Sequence, residues 1–427
     1  MQFKFLNTFI SLIFFKTLVV VNLFSQQVEI RFNHLSINDG LSQSTVYCIL
    51  QDNQGYIWAG TQDGLNKFDG YSISQYKHQI DDENSLTNSY INALCKSKDG
   101  FWIGTQRGGL NFYNEQNKSF KHISLPGNLD NAEITKVISD REGRIWLGTV
   151  KYGLVSFNIA DSSCKVFNAQ NGLPSNHVID LMLDGESIII ATNSNQLVKL
   201  NFLSERVELL YNWDDQLKNV KVNCFFREAP NRFLIGTSKG VKVVENNKIA
   251  NYSSKLDNYQ VTALFSDSIS GLWIGTYNKG LINCIASRDK YNLLFYQSND
   301  YNLKSLSHNL IHDIYKDETG SLWIGTQDGL SFFDPLKQSF ANHSTLLGAM
   351  DKNAWGIYEQ GDSVLWIGDR NGIVRINNNT NMFNSYPYFS DNKNRIGEND
   401  VYDLSLIHIS EPTRRRGMSY AVFCLKK

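Results

Sequence analysis

The chain has 427 residues, 42% of them apolar and 12% aromatic, with a formal net charge of -1. That length exceeds one ordinary core and calls for one large repeat architecture or two to three domains. The near-zero charge gives no electrostatic case for nucleic acid or an acidic membrane surface, and six cysteines without a C-x-x-C pair read as buried free thiols rather than a disulfide framework or metal-ligand set.

The first element in chain order is a targeting segment. Lys4 precedes a mostly apolar stretch to Phe24, and polarity returns at Gln26-Gln27. This pattern predicts a secretory signal peptide or N-terminal anchor over 1–27, with cleavage left open because Leu23-Phe24-Ser25 is a poor small-x-small site. No later segment approaches the roughly 18–20 apolar residues of a spanning helix.

From residue 34 onward one phrase recurs. It appears as "GYIWAGTQDGL" (55–65), "GFWIGTQRGGL" (100–110), "GRIWLGTVKYGL" (143–154), "GLWIGTYNKGL" (271–281) and "GSLWIGTQDGL" (320–330). Weaker copies are "SIIIATNSNQL" (187–197), "NRFLIGTSKGV" (231–241) and "SVLWIGDRNGI" (363–373). The tryptophan slot holds Trp58, Trp102, Trp146, Ile189, Leu234, Trp273, Trp323 and Trp366, at steps of 44, 44, 43, 45, 39, 50 and 43 residues. Each unit adds a strand-like run before the phrase, such as "VYCILQDNQG", and two short apolar runs after it. Asp52-x-x-Gly55, Asp140-x-x-Gly143 and Asp317-x-x-Gly320 have the chemistry of tight turns: a carboxylate for the turn's N–H groups, then a residue that tolerates positive φ.

Four β segments per unit at this period predict an all-β, seven-bladed β-propeller of four-stranded blades. It spans 28–345 and is followed over 346–404 by the incomplete start of a second propeller. A lone blade cannot bury both faces; stacked radially, each covers its neighbour. Trp58, Trp102, Trp146, Trp273, Trp323 and Trp366 are therefore read as repeat core, and the following Gly as a place of close approach. Off the motif, Trp213 is expected in an outer loop and Trp355 on an inner strand. Residues 405–427, "SLIHISEPTRRRGMSYAVFCLKK", break the repeat style and resemble a translated sequencing adapter; they are expected to be non-native.

Residues 34–78, together with the in-phase phrase, resemble two-component regulator propeller repeats. The resemblance implies the periplasmic sensor region of a hybrid two-component histidine kinase that detects oligosaccharides and regulates glycan-utilisation genes. It also implies homodimers in the intact, inner-membrane-anchored protein. Membrane contact would come only through the N-terminal segment or a downstream helix. On this resemblance the kinase part is expected to be missing from this chain.

Chemistry-bearing motifs are sparse. His308 and His312 are spaced i,i+4, but Asn309 follows the first where a metalloprotease needs Glu, so no metal site is assigned. Asp52, Asp63, Asp140 and Asp328 occupy repeated turn slots, whereas a catalytic pair is needed once. The expectation is no catalytic residue, no cofactor and no enzyme activity; a polysaccharide lyase or glycosidase, or a scaffold propeller, is the alternative. The turns after Gly-Thr vary, and a constant scaffold with variable loops is how binding faces are built. Arg107, Lys151, Tyr152, Tyr277, Asn278 and Lys279 are the candidate ligand contacts: tyrosines to stack on sugars, cations to meet hydroxyls or uronate carboxylates.

Overall fold

The computed structural model describes residues 30–334, apart from 195, 213–219, 230–231, 246–247, 268–270, 288–289 and 303, and then four strands between 356 and 387. The expectations for 1–27, for 405–427 and for Trp213, Trp355 and Cys424 lie outside the described residues. The chain divides into two compact units, Met1–Gln338 and Ser339–Lys427.

The fold is all-β and propeller-like, with eight four-stranded antiparallel sheets among the described residues and only short 3-10 turns as helix. Seven belong to the first unit and are numbered here in chain order. Sheets 1 to 6 cover 46–76, 91–123, 134–167, 178–212, 222–251 and 261–296, and in each the strands pair in sequence order. Sheet 7 takes three strands from 311–333 and its fourth from the other end of the unit: Asn33–Leu35 pairs antiparallel with Leu330–Phe333. Phe32 anchors this exchange, 1% exposed, with its ring 5.1 Å from Phe333 and 5.9 Å from Tyr296. The repeat pattern had not indicated this closing strand.

The core lies between sheets rather than within any one of them. Seven buried apolar clusters each join two successive sheets, and one of them joins sheet 7 back to sheet 1 through Trp323, Leu330, Val46 and Ile49. Trp58, Trp102, Trp146, Trp273 and Trp323 are all at most 5% exposed. The motif glycines admit the neighbour as expected. A Cβ on Gly60 would lie 2.7 Å from Ile91 Cγ2, and one on Gly104 would lie 2.6 Å from Ile134 Cγ2.

The turn aspartates do more than the sequence suggested. Asp52 Oδ1 accepts the backbone N–H groups of Gln54 and Tyr56, and its Oδ2 accepts Trp58 Nε1 at 2.8 Å. Asp140 holds Trp146 in the same way at 2.9 Å, and Asp317 holds Trp323 at 2.8 Å. In sheet 2, where the strand register puts Ser97 in the aspartate's place, the buried Nε1 of Trp102 has no partner. Cys48, Cys95, Cys164, Cys224 and Cys284 are free thiols, as expected.

The second unit contributes sheet 8, whose strands Gly356–Gln360, Val364–Asp369, Gly372–Asn377 and Met382–Pro387 pair in sequence order. Here Gln360 Oε1 accepts Trp366 Nε1 at 3.0 Å, and Val374 and Ile376 are buried.

Candidate functional site

The innermost strand of each of the seven sheets begins with the same irregularity. Between its first and third residues the pairing slips by one, at Val46/Cys48, Ile91/Ala93, Ile134/Lys136, Val178/Asp180, Val222/Cys224, Val261/Ala263 and Ile311/Asp313. A bulge of this kind leaves one residue unpaired and re-aims its side chain. Three of these side chains fasten one sheet to the next: Asn92 Nδ2 donates to Ile134 O at 3.0 Å, Thr135 Oγ1 to Val178 O at 2.9 Å, and Asn223 Nδ2 to Val261 O at 2.7 Å.

In sheets 4 and 6 the place is held by Ile179 and by Thr262, whose buried Oγ1 has no hydrogen-bond partner; sheets 7 and 1 depart from the fastening in another way. Their bulges carry His312 and Tyr47, whose rings lie 4.9 Å apart, and Tyr47 stacks on Tyr90 of sheet 2 at 5.2 Å with 29° between planes. Gln62 Nε2 donates to Tyr47 Oη at 2.7 Å and reaches Tyr90 Oη at 3.4 Å; His312 Nε2 meets Gln327 Oε1 at 3.1 Å. The three rings are half-buried and both glutamines are exposed. Burial lowers the His312 pKa, which keeps the ring neutral at neutral pH, and burial beside Tyr90 raises Tyr47 to about 12.

One residue deeper, the same column reads Cys48, Ala93, Lys136, Asp180, Cys224, Ala263 and Asp313. Asp180 accepts the N–H of Leu181 and, across the sheet boundary, that of Phe225 at 2.8 Å. Asp313 likewise accepts Ile314 N–H and, across the junction of sheets 7 and 1, Ile49 N–H at 2.8 Å. Lys136 Nζ lies 3.3 Å from Asp180 Oδ1. The Asp180 charge raises the Lys136 pKa, whereas burial raises that of Asp313 against the opposing pull of Lys136. Burial also pushes up the Cys48 and Cys224 thiols, which are therefore protonated and inert at neutral pH.

The turns after Gly-Thr stand on the same face as these strand entries. In six sheets the first turn residue donates its N–H to the residue before the inner strand, as Gln106 does to Tyr90 at 3.0 Å and Gln327 to Leu310 at 3.1 Å. The sequence-derived contacts are accordingly on this face, but they are spread around it: Arg107 in sheet 2, Lys151 and Tyr152 in sheet 3, Tyr277, Asn278 and Lys279 in sheet 6. Arg107, Lys151, Asn278 and Lys279 are exposed and Tyr277 is 53% exposed, while Tyr152 packs half-buried against the core between sheets 2 and 3. The concentrated cluster is Tyr47, Tyr90 and His312 with Gln62 and Gln327. It was missed because the sequence reading compared turns, not strand columns. Aligning the second residue of each inner strand gives Tyr, Asn, Thr, Ile, Asn, Thr, His, and exposes the two aromatic departures. His308 uses Nδ1 to accept Leu310 N–H, and among the described residues no cluster of His, Cys, Asp and Glu is arranged to hold a metal.

Comparison with known proteins fits this geometry. The two component regulator propeller family matches residues 40–63, 85–107 and 305–328. Three of the chain's units thus match the model of that repeat. Those three are the units of sheets 1, 2 and 7, the same sheets that supply the aromatic cluster. Histidine kinase P4 of Formosa agariphila is 41% identical over 69 residues, 16% of this chain and 5% of that protein. The extracellular domain of a B. thetaiotaomicron protein described as a hybrid two component system is 26% identical, with a TM-score of 0.62, over 85% of this chain and 50% of that one. The extracellular domain of another B. thetaiotaomicron protein, described as a one component system, is 22% identical with a TM-score of 0.62 over 87% of this chain and 49% of that one, and shares the fold. The chain thus spans about half the length of these two solved domains.

Proposed function

We propose that this chain is the ligand-sensing region of a hybrid two-component sensor kinase, exported to the periplasm, where it detects oligosaccharides and thereby regulates glycan use. The observation that carries the reading is the regulator-propeller match at both ends of the first unit, together with 26% identity to an extracellular sensor domain over 85% of the chain. In this reading the first unit is a closed seven-bladed propeller, supported by the apolar cluster joining sheets 7 and 1 and by the Asn33–Leu35 strand in sheet 7. Sheet 8 opens a second propeller, and the intact sensor signals as a homodimer whose conformational balance shifts with ligand affinity. Among the described residues no helix is long and apolar enough to cross a membrane.

The enzyme alternative needs an unrepeated pair of carboxylates free to handle protons. Asp180 and Asp313 are unrepeated, but each accepts two backbone N–H groups, one across a sheet boundary. Those bonds make them fasteners, and binding without turnover is the reading they favour. The test is calorimetric titration of the chain with an oligosaccharide panel, followed by chromatography of the same mixtures. Saturable binding with intact sugars is expected; cleavage products would move the protein to the enzyme class.

A further inference from the structure

We propose that the stack of His312, Tyr47 and Tyr90, flanked by Gln62 and Gln327, is a binding site for an uncharged sugar ring, and that it discriminates against acidic sugars. This rests on the oligosaccharide-sensing reading and narrows it to one place and one ligand class.

Three observations point the same way. The first is the break in the fastening pattern. Asn92, Thr135 and Asn223 spend their donors on the next sheet, whereas His312 and Tyr47 form a half-buried aromatic surface. Apolar ring faces beside a few placed polar groups are what a small-molecule site needs.

The second is the state of the flanking amides. Gln62 engages Tyr47 through Nε2, and Gln327 engages His312 through Oε1. Each is exposed, and the amide atom that remains is an acceptor on Gln62, Oε1, and a donor on Gln327, Nε2. A vicinal pair of sugar hydroxyls, each both donor and acceptor, satisfies that combination.

The third is the distribution of charge. All seven bulge residues are uncharged, with His312 held neutral by burial. The first turn residues Gln62, Gln106, Val150, Asn193, Ser238, Tyr277 and Gln327 are uncharged too. Charges stand one position farther along in five of the seven turns, at Asp63, Arg107, Lys151, Lys239 and Asp328, and two positions farther in sheet 6, at Lys279; Asp63 is already paired with Lys77 at 2.6 Å. One residue farther along the inner strands, the Lys136 ammonium is bonded to Asp180, and Asp313 adds a second carboxylate to that column. A uronate or sulfate brought onto the rings would lose water without gaining a cation, a cost that a neutral ring avoids.

The experiment is calorimetry of the full chain with cellotriose, maltotriose, laminaritriose and xylotriose on one side, and trigalacturonate and a chondroitin sulfate tetrasaccharide on the other. Tyr90→Ala and Gln327→Ala are measured beside the wild type, with thermal melts to verify that both variants fold. The expected result is binding of at least one neutral trisaccharide, weakened about tenfold or more by each substitution, and unchanged between about 50 mM and 500 mM salt because no ion pair is made. Neutral binding that survives both substitutions in folded protein overturns the site. Binding confined to the acidic sugars, and lost on Arg107→Ala or Lys151→Ala, overturns the ligand class while leaving the sensor reading intact. No binding across both sets overturns the proposal and the oligosaccharide reading of this chain together.

Discussion

Trp146 acts through both ends of its side chain. Its ring lies between sheets 3 and 4, stacked 5.2 Å from Phe202, and its Nε1 donates to Asp140 Oδ2. Deleting it removes the apolar filling and leaves a cavity, so Trp146→Ala should cost about 3–5 kcal/mol in urea unfolding. A loss below about 1 kcal/mol would show that the slot is not core. Asp140 gives a pH test. Burial pushes its carboxyl up, but hydrogen bonds from Trp146 and Arg144 and the nearby guanidinium outweigh that and hold it below the usual carboxylate range. Its folded pKa lies below the unfolded value of about 3.9. Its stabilisation is therefore complete above that value and is lost as pH falls through the folded pKa. Asp140→Asn should flatten the acid limb of melting temperature against pH between about pH 2 and 5; an unaltered limb would remove Asp140 from the acid response.

At the level of the strand, the motif glycine sets how near two sheets come. The space that Gly104 leaves is filled by Ile134 and Val137 of the next sheet. Sheet 4 places Ala191 in this column, buried against the core it shares with sheet 5, so one methyl is tolerated there. Gly104→Val should strain the junction of sheets 2 and 3 by about 1–3 kcal/mol, the usual range for overpacking, whereas Ala191→Gly should cost about 1 kcal/mol or less. Denaturant midpoints of the two variants give the comparison, and equal losses would contradict the close-approach account. The bulge is the other device at this scale. It re-aims the second residue of each inner strand, and in sheets 2, 3 and 5 that residue bonds to the next sheet.

Across the whole first unit, stability depends on joining the first sheet to the last. Three kinds of contact make that joint: the Asn33–Leu35 strand, the carboxylate of Asp313 on Ile49 N–H, and the backbone bond from Gly329 N–H to Ser44 O at 2.6 Å. Removing residues 1–36 should lower the melting temperature by several degrees or more, because Phe32 is lost from the core between sheets 6 and 7. An unchanged melting temperature would mean that the N-terminal strand is not a fastener. Within the central column, Asp180→Ala should cost more than Lys136→Ala. Asp180 is 7% exposed and gathers two N–H groups and an ammonium, whereas 45% of the Lys136 side chain remains in reach of water. Chemical denaturation of both variants decides the order, and the reverse order would mean that the ammonium, not the carboxylate, fastens the column.

The sequence by itself determined the β class, the four-stranded unit and the core role of Trp58, Trp102, Trp146, Trp273 and Trp323; Trp366 is only half-buried. A repeated phrase carries its own local physics: Asp and Gly make the turn, and an apolar pair makes the buried strand. These signals lie within about ten residues of one another and survive without knowledge of the neighbours. What tertiary structure alone decided depends on residues far apart in the chain. Tyr47 and His312 are 265 positions apart, yet their rings meet because sheet 7 packs against sheet 1. Asn33–Leu35 finds Leu330–Phe333 for the same reason. The turn residues Lys151 and Tyr277 carried a chemical type suited to a ligand, but their distance from one another is set by which sheets hold them. A periodic sequence announces its scaffold in every repeat, whereas a site made by departures from the period becomes visible only when the repeats are brought into contact.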